Sequence, residues 1–148
     1  MSVKVLGKVV LVLGLVCIVV GGVFIWQSFD VKATIADGLR DEQLTLGIPG
    51  EGDEGYNPNN LYVDTAVEAQ VAHDTILEHM RDDPGRYSDT QRDTPERSYY
   101  VDGITLRNSL TIAMMGFGVT TIALGIGAGM LVVGFALGIA GWAINRLK

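Results

Sequence analysis

The feature that most constrains this chain is a run of 38 residues without an ionisable side chain, bounded by Arg107 and Arg146. About 20 apolar residues suffice to cross the ~30 Å hydrocarbon core of a bilayer, because a helix rises about 1.5 Å per residue. The run is nearly twice that long. We therefore expect a transmembrane helix that continues beyond the lipid at its outer end.

A second uncharged run, of 21 residues, lies between Lys8 and Asp30 and predicts a first span at about residues 9–26. The intervening residues 30–107 hold all 17 acidic side chains of the chain and seven of its 11 basic ones. This division predicts an all-α membrane protein, a two-span transmembrane helical hairpin with a small, mostly helical, loop-rich extracytoplasmic head.

The charges of the two ends indicate the orientation. Both tails are basic and contain no acidic residue, and basic residues next to a span favour the cytoplasmic side. We expect a plasma-membrane protein with both termini cytoplasmic and residues from about 27 to 120 extracytoplasmic. Trp26 and Trp142 are predicted to anchor the outer and inner interfaces, where tryptophan is enriched. Counting about 20 residues back from Trp142 places the outer boundary near Ile122.

The predicted domains follow the charge pattern: a tail and first span at 1–29, the acidic head at 30–107, and the second span with its outward extension and short basic tail at 108–148. The expected elements of the head are a helical extension of the first span weakened or stopped at Gly38, a short extended segment at 44–48, a loop at 47–62, a helix at 64–81, and a loop at 82–102 before the last helix begins near Gly103.

Thr65 and Glu68 have the spacing of a capping box, which predicts the start of the middle helix of the head.

Three apolar stripes predict how the head packs. Residues at helical spacing form one face of each predicted helix: Val31, Ile35 and Leu39; Ala69, Ala72, Ile76 and Met80; and Leu106, Leu110, Ala113 and Phe117. We expect the three stripes to meet in a three-helix head.

The surplus length of the last helix predicts a partner. Residues 110–119 would stand outside the lipid while remaining strongly apolar, and an apolar patch of that size in water marks an interaction site. In this interpretation the head covers one face of the helix and a partner subunit covers the other. The candidate partner contacts are Leu110, Met114, Met115 and Phe117.

Glycines on the two spans give the strongest packing signal. Small residues let helices approach closely in lipid, where no hydrophobic drive brings them together. The predicted helix-packing residues are Gly14 and Gly21 on the first span and Gly125, Gly129, Gly134 and Gly138 on the last, the latter as two GxxxG pairs. Two interpretations stay open: the glycines close the hairpin on itself, or some of them pack against a helix of another subunit.

The glycine cluster at 125–129 also permits a break in the last run, which would give a re-entrant segment or a third pass. A third pass would place Arg146 and Lys148 outside, against the charge rule. We therefore favour one unbroken second span.

The sequence lacks the residue patterns that ion transport, metal binding and catalysis require. The spans contain no Asp, Glu, Lys, Arg or His, which argues against a transporter, pump or voltage sensor acting alone. We expect His73 and His79 to be solvated side chains rather than metal ligands. The acidic clusters lack the spacing of an EF-hand loop. There is no nucleophile elbow or phosphate loop, and the negative charge excludes nucleic-acid binding. We expect no catalytic residue, metal, cofactor or enzymatic activity.

Three segments carry a resemblance: the helix exit at 31–43, the Glu68-Ala69-Gln70 segment with His79, and the re-entry at 105–119. In these the chain resembles small two-span membrane proteins of high-GC bacteria such as actinobacteria. The resemblance covers most of the chain and implies the two-span topology, without an activity.

Together these features predict a structural or accessory subunit of a larger plasma-membrane protein complex, with helix packing in the membrane and a docking head outside. The expected partners are other membrane protein subunits or further copies of the chain, and the lipid bilayer. The alternative is a membrane-anchored binding protein whose head senses a ligand or cation. The short tails make signalling through the membrane harder, which ranks this alternative second.

Overall fold

The computed structural model describes residues 3–83 and 85–146. Its helices are α1 (Val3–Asp41), α2 (Ala66–Asp82) and α3 (Pro95–Arg146), with a short 3-10 helix at Tyr87–Asp89 and no strand among the described residues. Two of these helices, α1 and α3, are long and apolar enough to cross a membrane. The protein is therefore all-helical, with two candidate membrane spans.

The chain forms two compact units. The hairpin unit consists of the described parts of Met1–Val31 and Val119–Lys148, and the acidic unit consists of Lys32–Gly118. Each unit draws on both long helices, but their compositions differ sharply. Of the 17 acidic residues, only Asp30 belongs to the hairpin unit.

In the hairpin unit, α1 and α3 run antiparallel and touch through buried glycines that recur every seven residues. A Cβ atom added to Gly14 would lie 2.8 Å from the carbonyl oxygen of Gly134, and one added to Gly21 would lie 2.7 Å from that of Gly127. These distances leave no room for any side chain. We call this contact the glycine seam; its members are Gly7, Gly14 and Gly21 on α1 and Gly127, Gly134 and Gly141 on α3.

Small polar residues continue the glycine seam. Ser28 follows Gly21 by seven residues, Thr120 precedes Gly127 by seven, and both side chains are buried. The Ser28 hydroxyl donates to the carbonyl oxygen of Phe24 at 2.6 Å, so its burial leaves the donor satisfied. A strict seven-residue repeat is the period at which two helices keep one face in contact along a left-handed crossing.

The six glycines that were predicted to pack lie in two different environments. Gly14, Gly21 and Gly134 lie in the glycine seam, whereas Cβ atoms at Gly125, Gly129 and Gly138 would meet nothing within 4 Å. The pair Gly125 and Gly129 therefore lies outside the contact between α1 and α3, which follows a spacing of seven. Of the other pair, Gly134 belongs to the seam, and the backbone nitrogen of Gly138 lies 2.8 Å from a Cβ placed on Gly14. The helix is also continuous through 125–129, so this segment neither turns back nor makes a third pass.

The acidic unit has a core in which the end of α1, all of α2 and the start of α3 meet. The buried apolar residues are Leu39, Val63, Ala69, Ala72, Ile76, Met80, Leu110 and Phe117, and Ile35, Leu106 and Ala113 pack against them. The three predicted stripes thus come together except for Val31, which is exposed and belongs to the hairpin unit. Val63 is an addition. Its backbone N–H donates to the carbonyl oxygen of Leu44 at 2.8 Å, which fixes the loop before α2.

Polar contacts fix the start of α2. The Thr65 hydroxyl accepts from the Glu68 N–H at 3.2 Å, and the Glu68 carboxylate accepts from the N–H groups of Asp64 and Thr65 at 3.1 Å. The predicted capping box is therefore formed. Asp64, only 9% exposed, accepts from Arg40 Nε at 2.8 Å and so ties α2 to the end of α1.

The start of α3 differs most from the sequence expectation. The helix begins at Pro95, eight residues before Gly103, so much of the loop expected at 82–102 is helical. The Thr94 hydroxyl accepts from the Arg97 N–H at 3.4 Å, and Pro95 occupies the first helical position, where its missing N–H is harmless. The cap and the proline together set this boundary.

The segment at 44–48 forms a turn rather than an extended strand. The carbonyl oxygen of Thr45 accepts from the Ile48 N–H at 3.3 Å, and Gly47 has a φ of 85°. The helical extension of α1 likewise passes Gly38 and ends at Asp41, so that single glycine does not stop it.

The glycine seam predicts a position-specific stability effect. Replacing Gly14 with alanine forces a Cβ against backbone atoms of α3, and overpacking of this kind lowers the free energy of unfolding by about 1–3 kcal/mol. The measurement is unfolding of the purified chain by SDS, followed by the fluorescence of Trp26 and Trp142, which both belong to the hairpin unit. Gly22→Ala is the matched control, because a Cβ there meets nothing within 4 Å. Equal losses for the two variants would contradict the glycine seam.

The capping box predicts a pH-dependent contribution. Burial raises the pKa of the Glu68 carboxyl, but hydrogen bonds from Asp64, Thr65 and Asn60 outweigh it, so the net pKa lies below its ordinary value of 4.5. A carboxyl with a lowered folded pKa stabilises the fold above its ordinary pKa and loses that contribution as the pH falls through the lowered one.

We therefore expect Glu68→Gln to destabilise the acidic unit at pH 7, with the difference from the unaltered chain shrinking below pH 4.5. Urea unfolding followed by circular dichroism across this range measures it. Glu78→Gln, at an exposed position of the same helix, is the control and should show no such convergence.

Candidate functional site

In the acidic unit, α3 leaves one apolar face uncovered. Ile112 and Met115 are 69% and 66% exposed, although they flank the core. Leu110 and Phe117, which the sequence nominated as partner contacts, are instead buried in that core. They face α1 and α2 and are not available to a partner. Of the nominated set, Met115 is exposed and Met114 packs at the edge of the core.

The uncovered residues could have been found from the helix period. Once the stripe of Leu110 and Phe117 is assigned to the core, residues about half a turn away must point outward. At 100° per residue, Ile112 lies about 200° from Leu110 and is thus on the opposite face. Of the four residues predicted as partner contacts, Leu110 and Phe117 thus lie on the covered side of the helix.

In the hairpin unit, α3 also leaves the face opposite the glycine seam uncovered. Gly125 and Gly129 are exposed and meet nothing within 4 Å, and Ile122 and Val132 beside them are exposed as well. Gly125 precedes Gly127 by two residues and Gly129 follows it by two, which places both about 160–200° from the seam. This is a smooth, uncharged surface flanked by large aliphatic side chains.

Both predicted interfacial tryptophans are exposed. Trp26 lies on α1 and Trp142 on α3, and the guanidinium of Arg146 stacks over the Trp142 ring at 3.9 Å. A tryptophan with an apolar ring and a polar N–H suits a boundary between lipid and water. The cation over the ring gives that end of the hairpin unit a charged rim.

The acidic unit contains a polar contact between α2 and α3 that sequence reasoning missed. Arg107 Nη2 lies 3.1 Å from His73 Nε2, and His73 Nδ1 lies 2.9 Å from Asp74 Oδ1. Since arginine can only donate, Nε2 must accept, and Nδ1 then carries the proton and donates to Asp74. His73 is only 17% exposed, so the expectation of a solvated side chain is wrong for this residue.

The hydrogen bonds from Gln70 and His73 lower the pKa of the Asp74 carboxyl, and the positive charge of Arg107 acts in the same direction. Asp74 therefore remains a carboxylate that can hold the histidine in its tautomer. The contact resembles a catalytic arrangement only in its residue types. It includes no nucleophile, and its role is to join α2 to α3 beside the core.

An open cleft of about 410 Å³ lies between the C-terminal end of α2 and the start of α3, and it is lined by His79, Asp82, Asp83, Pro95, Glu96 and Tyr99. Its acidic character would attract cations. Among residues 3–83 and 85–146, however, no three histidine, cysteine or acidic side chains are grouped so as to hold a metal ion. The cleft is thus a surface feature with charge and one aromatic wall.

The chain matches no family model, no curated protein and no solved structure.

The His73 contact predicts unequal roles for the two histidines of α2. His73→Leu removes the acceptor for Arg107, whose buried Nε already has no partner among the described residues, and we expect a loss of about 1–3 kcal/mol in unfolding free energy. His73→Gln restores an acceptor and should recover part of the loss. Urea unfolding followed by circular dichroism measures both variants. The control is His79→Leu, at an exposed position, which should change stability by less than about 0.5 kcal/mol.

Proposed function

We propose that this protein is a structural or accessory subunit of a larger plasma-membrane complex, in which α3 packs against another membrane subunit and the acidic unit docks outside the membrane. One observation carries the proposal: α3 uses the glycines on one face for its own hairpin and leaves Gly125 and Gly129 on the other face without a neighbour. Small residues that leave a helix surface smooth are what a second transmembrane helix packs against.

The exposed residues of the acidic unit support the same role. Ile112 and Met115 are large, apolar and more than half exposed, in a unit whose own core is otherwise assembled from α1, α2 and α3. If this unit lies in water, as its charge suggests, such a pair favours burial against a protein surface.

The register of the hairpin unit supports the proposed depth in the membrane. Because Gly21 contacts Gly127 in an antiparallel pair, Trp26 falls at the level of Ile122. The count of about 20 residues from Trp142 also ended near Ile122. The two tryptophans would then mark the two faces of one bilayer, with the basic tails on the cytoplasmic side in accordance with their charge.

The test is gentle detergent extraction of the full chain from its native membrane, followed by native gel electrophoresis and mass spectrometry of the band. We expect co-migration with a larger complex. The double variant Gly125→Leu, Gly129→Leu should abolish it, because two leucines would hold a partner helix away.

The matched control is Gly22→Leu, an equally open glycine on α1, which should leave co-migration intact. The glycine seam provides a second check, since the double variant should unfold in SDS like the unaltered chain. A chain that migrates alone, or a double variant that still assembles, would overturn the proposal.

A second candidate, a membrane-anchored protein that senses a ligand or cation, is favoured by the acidic cleft beside Tyr99. The same extraction separates the two functions. A sensor of this kind would migrate as a lone chain, whereas an accessory subunit would not.

A further inference from the structure

One end of the hairpin unit carries positive charge, and no described residue at this end is acidic. A Cβ atom on Gly7 would lie 2.7 Å from Asn145 Oδ1, so the start of α1 and the end of α3 are side by side. Three exposed basic residues lie at this end: Lys4, Lys8 and Arg146. The only acidic residue of the unit is Asp30, far along α1, and no described residue forms an ion pair with any of the three.

An apolar groove runs between the two helices near this end. It has a volume of about 310 Å³ and is lined by Ile18, Phe135, Gly138, Ile139 and Trp142. Nothing lies within 4 Å of a Cβ placed on Gly138, so this glycine forms an open floor between bulky walls. The volume is at the lower end of the roughly 300–1,000 Å³ of ligand pockets.

On each helix, a basic residue lies on the same face as the residues that line the groove. On α3, Phe135, Ile139, Trp142 and Arg146 are spaced by four, three and four residues and share one helix face. On α1, Lys4 precedes Ile18 by 14 residues, about four turns, and so lies close to the same face. The apolar groove therefore ends where Arg146 stacks on Trp142.

We propose that this groove binds an acyl chain of an anionic phospholipid, with the lipid phosphate held by Arg146 and Lys4. A guanidinium stacked on a ring keeps its N–H donors pointing outward in its plane, where they can bind phosphate oxygens. Lysine adds a charge-assisted bond. Basic pockets between membrane helices are a recurrent site for anionic headgroups. The site does not depend on a partner subunit, and it is present in the isolated chain.

The experiment uses the full chain in neutral detergent with Trp26→Phe, so that Trp142 is the only tryptophan. Phosphatidylglycerol with brominated acyl chains is the probe, because bromine quenches tryptophan emission on contact. Phosphatidylcholine with the same chains is the neutral comparison. We expect half-maximal quenching by the anionic lipid at a concentration at least about fivefold lower, the effect of one basic residue near an anionic surface.

Two variants separate the groove from the charges. Gly138→Leu fills the groove and should weaken quenching by both lipids, whereas Gly22→Leu should not. Lys4→Gln and Arg146→Gln should each shrink the preference for the anionic lipid, whereas Arg81→Gln in the acidic unit should leave it unchanged.

Equal quenching by the two lipids would overturn the proposal, and so would a Gly138→Leu variant that is quenched like the unaltered chain. Inorganic phosphate at the same concentration as the lipid should not displace it. Displacement by phosphate would show that the cations bind a free anion and that the groove plays no part. Circular dichroism of each variant verifies its helices, and the exposed Lys4→Gln change tests the site even where Gly138→Leu fails to fold.

Discussion

The contact between the backbones of α1 and α3 is the interaction on which the hairpin unit depends. Inside a bilayer, apolar side chains gain little by leaving lipid for protein, so two helices associate only where they fit closely. The glycines at 14 and 134 remove the side chains that would keep the helices apart, and their backbones meet at distances no alanine would allow. Close approach also brings Cα–H groups toward carbonyl oxygens, a weak but repeated attraction.

The acidic unit is held together by a different balance. Its core buries leucine, isoleucine, methionine and phenylalanine, which is favourable where the alternative is water. At the edges of that core, charged side chains make specific links: Arg40 to Asp64 between α1 and α2, and Arg107 to His73 between α2 and α3. The two compositions visible in the sequence thus correspond to two ways of holding helices together.

What the sequence predicted was mostly local or periodic. The capping box of Thr65 and Glu68 depends on residues three apart, so it could be read directly, and the core positions of α2 follow from an amphipathic pattern. The start of α3 at Pro95 was not predicted, although Thr94 and Pro95 are typical of a helix N-terminus. The polar residues around them favour a loop, and a cap of two residues is a weaker signal than that composition.

The faces of α3 could not be assigned in the same way. The helical period placed Leu110 in the packed stripe, but because α3 is apolar on all sides the same residue was also expected to contact a partner. Leu110 is buried, and Met115 is the exposed one. The glycines posed a related difficulty. A spacing of four drew attention to Gly125 and Gly129, while the observed contact uses a spacing of seven. The hydrogen bond of His73 joins residues 34 apart and has no local pattern at all.

The seven-residue repeat does not by itself define a unique register between the two helices. If one helix slid past the other by seven residues, about 10.5 Å, Gly14 would meet Gly127 and Gly7 would meet Gly134, and the surfaces would fit almost as before. A repetitive surface can thus hold two helices together without defining their register. The stopping point must come from features that do not repeat, such as the buried Ser28 and Thr120 at one end of the unit and Asn145 beside Gly7 at the other. Adhesion and alignment are therefore assigned to different residues within the same pair of helices.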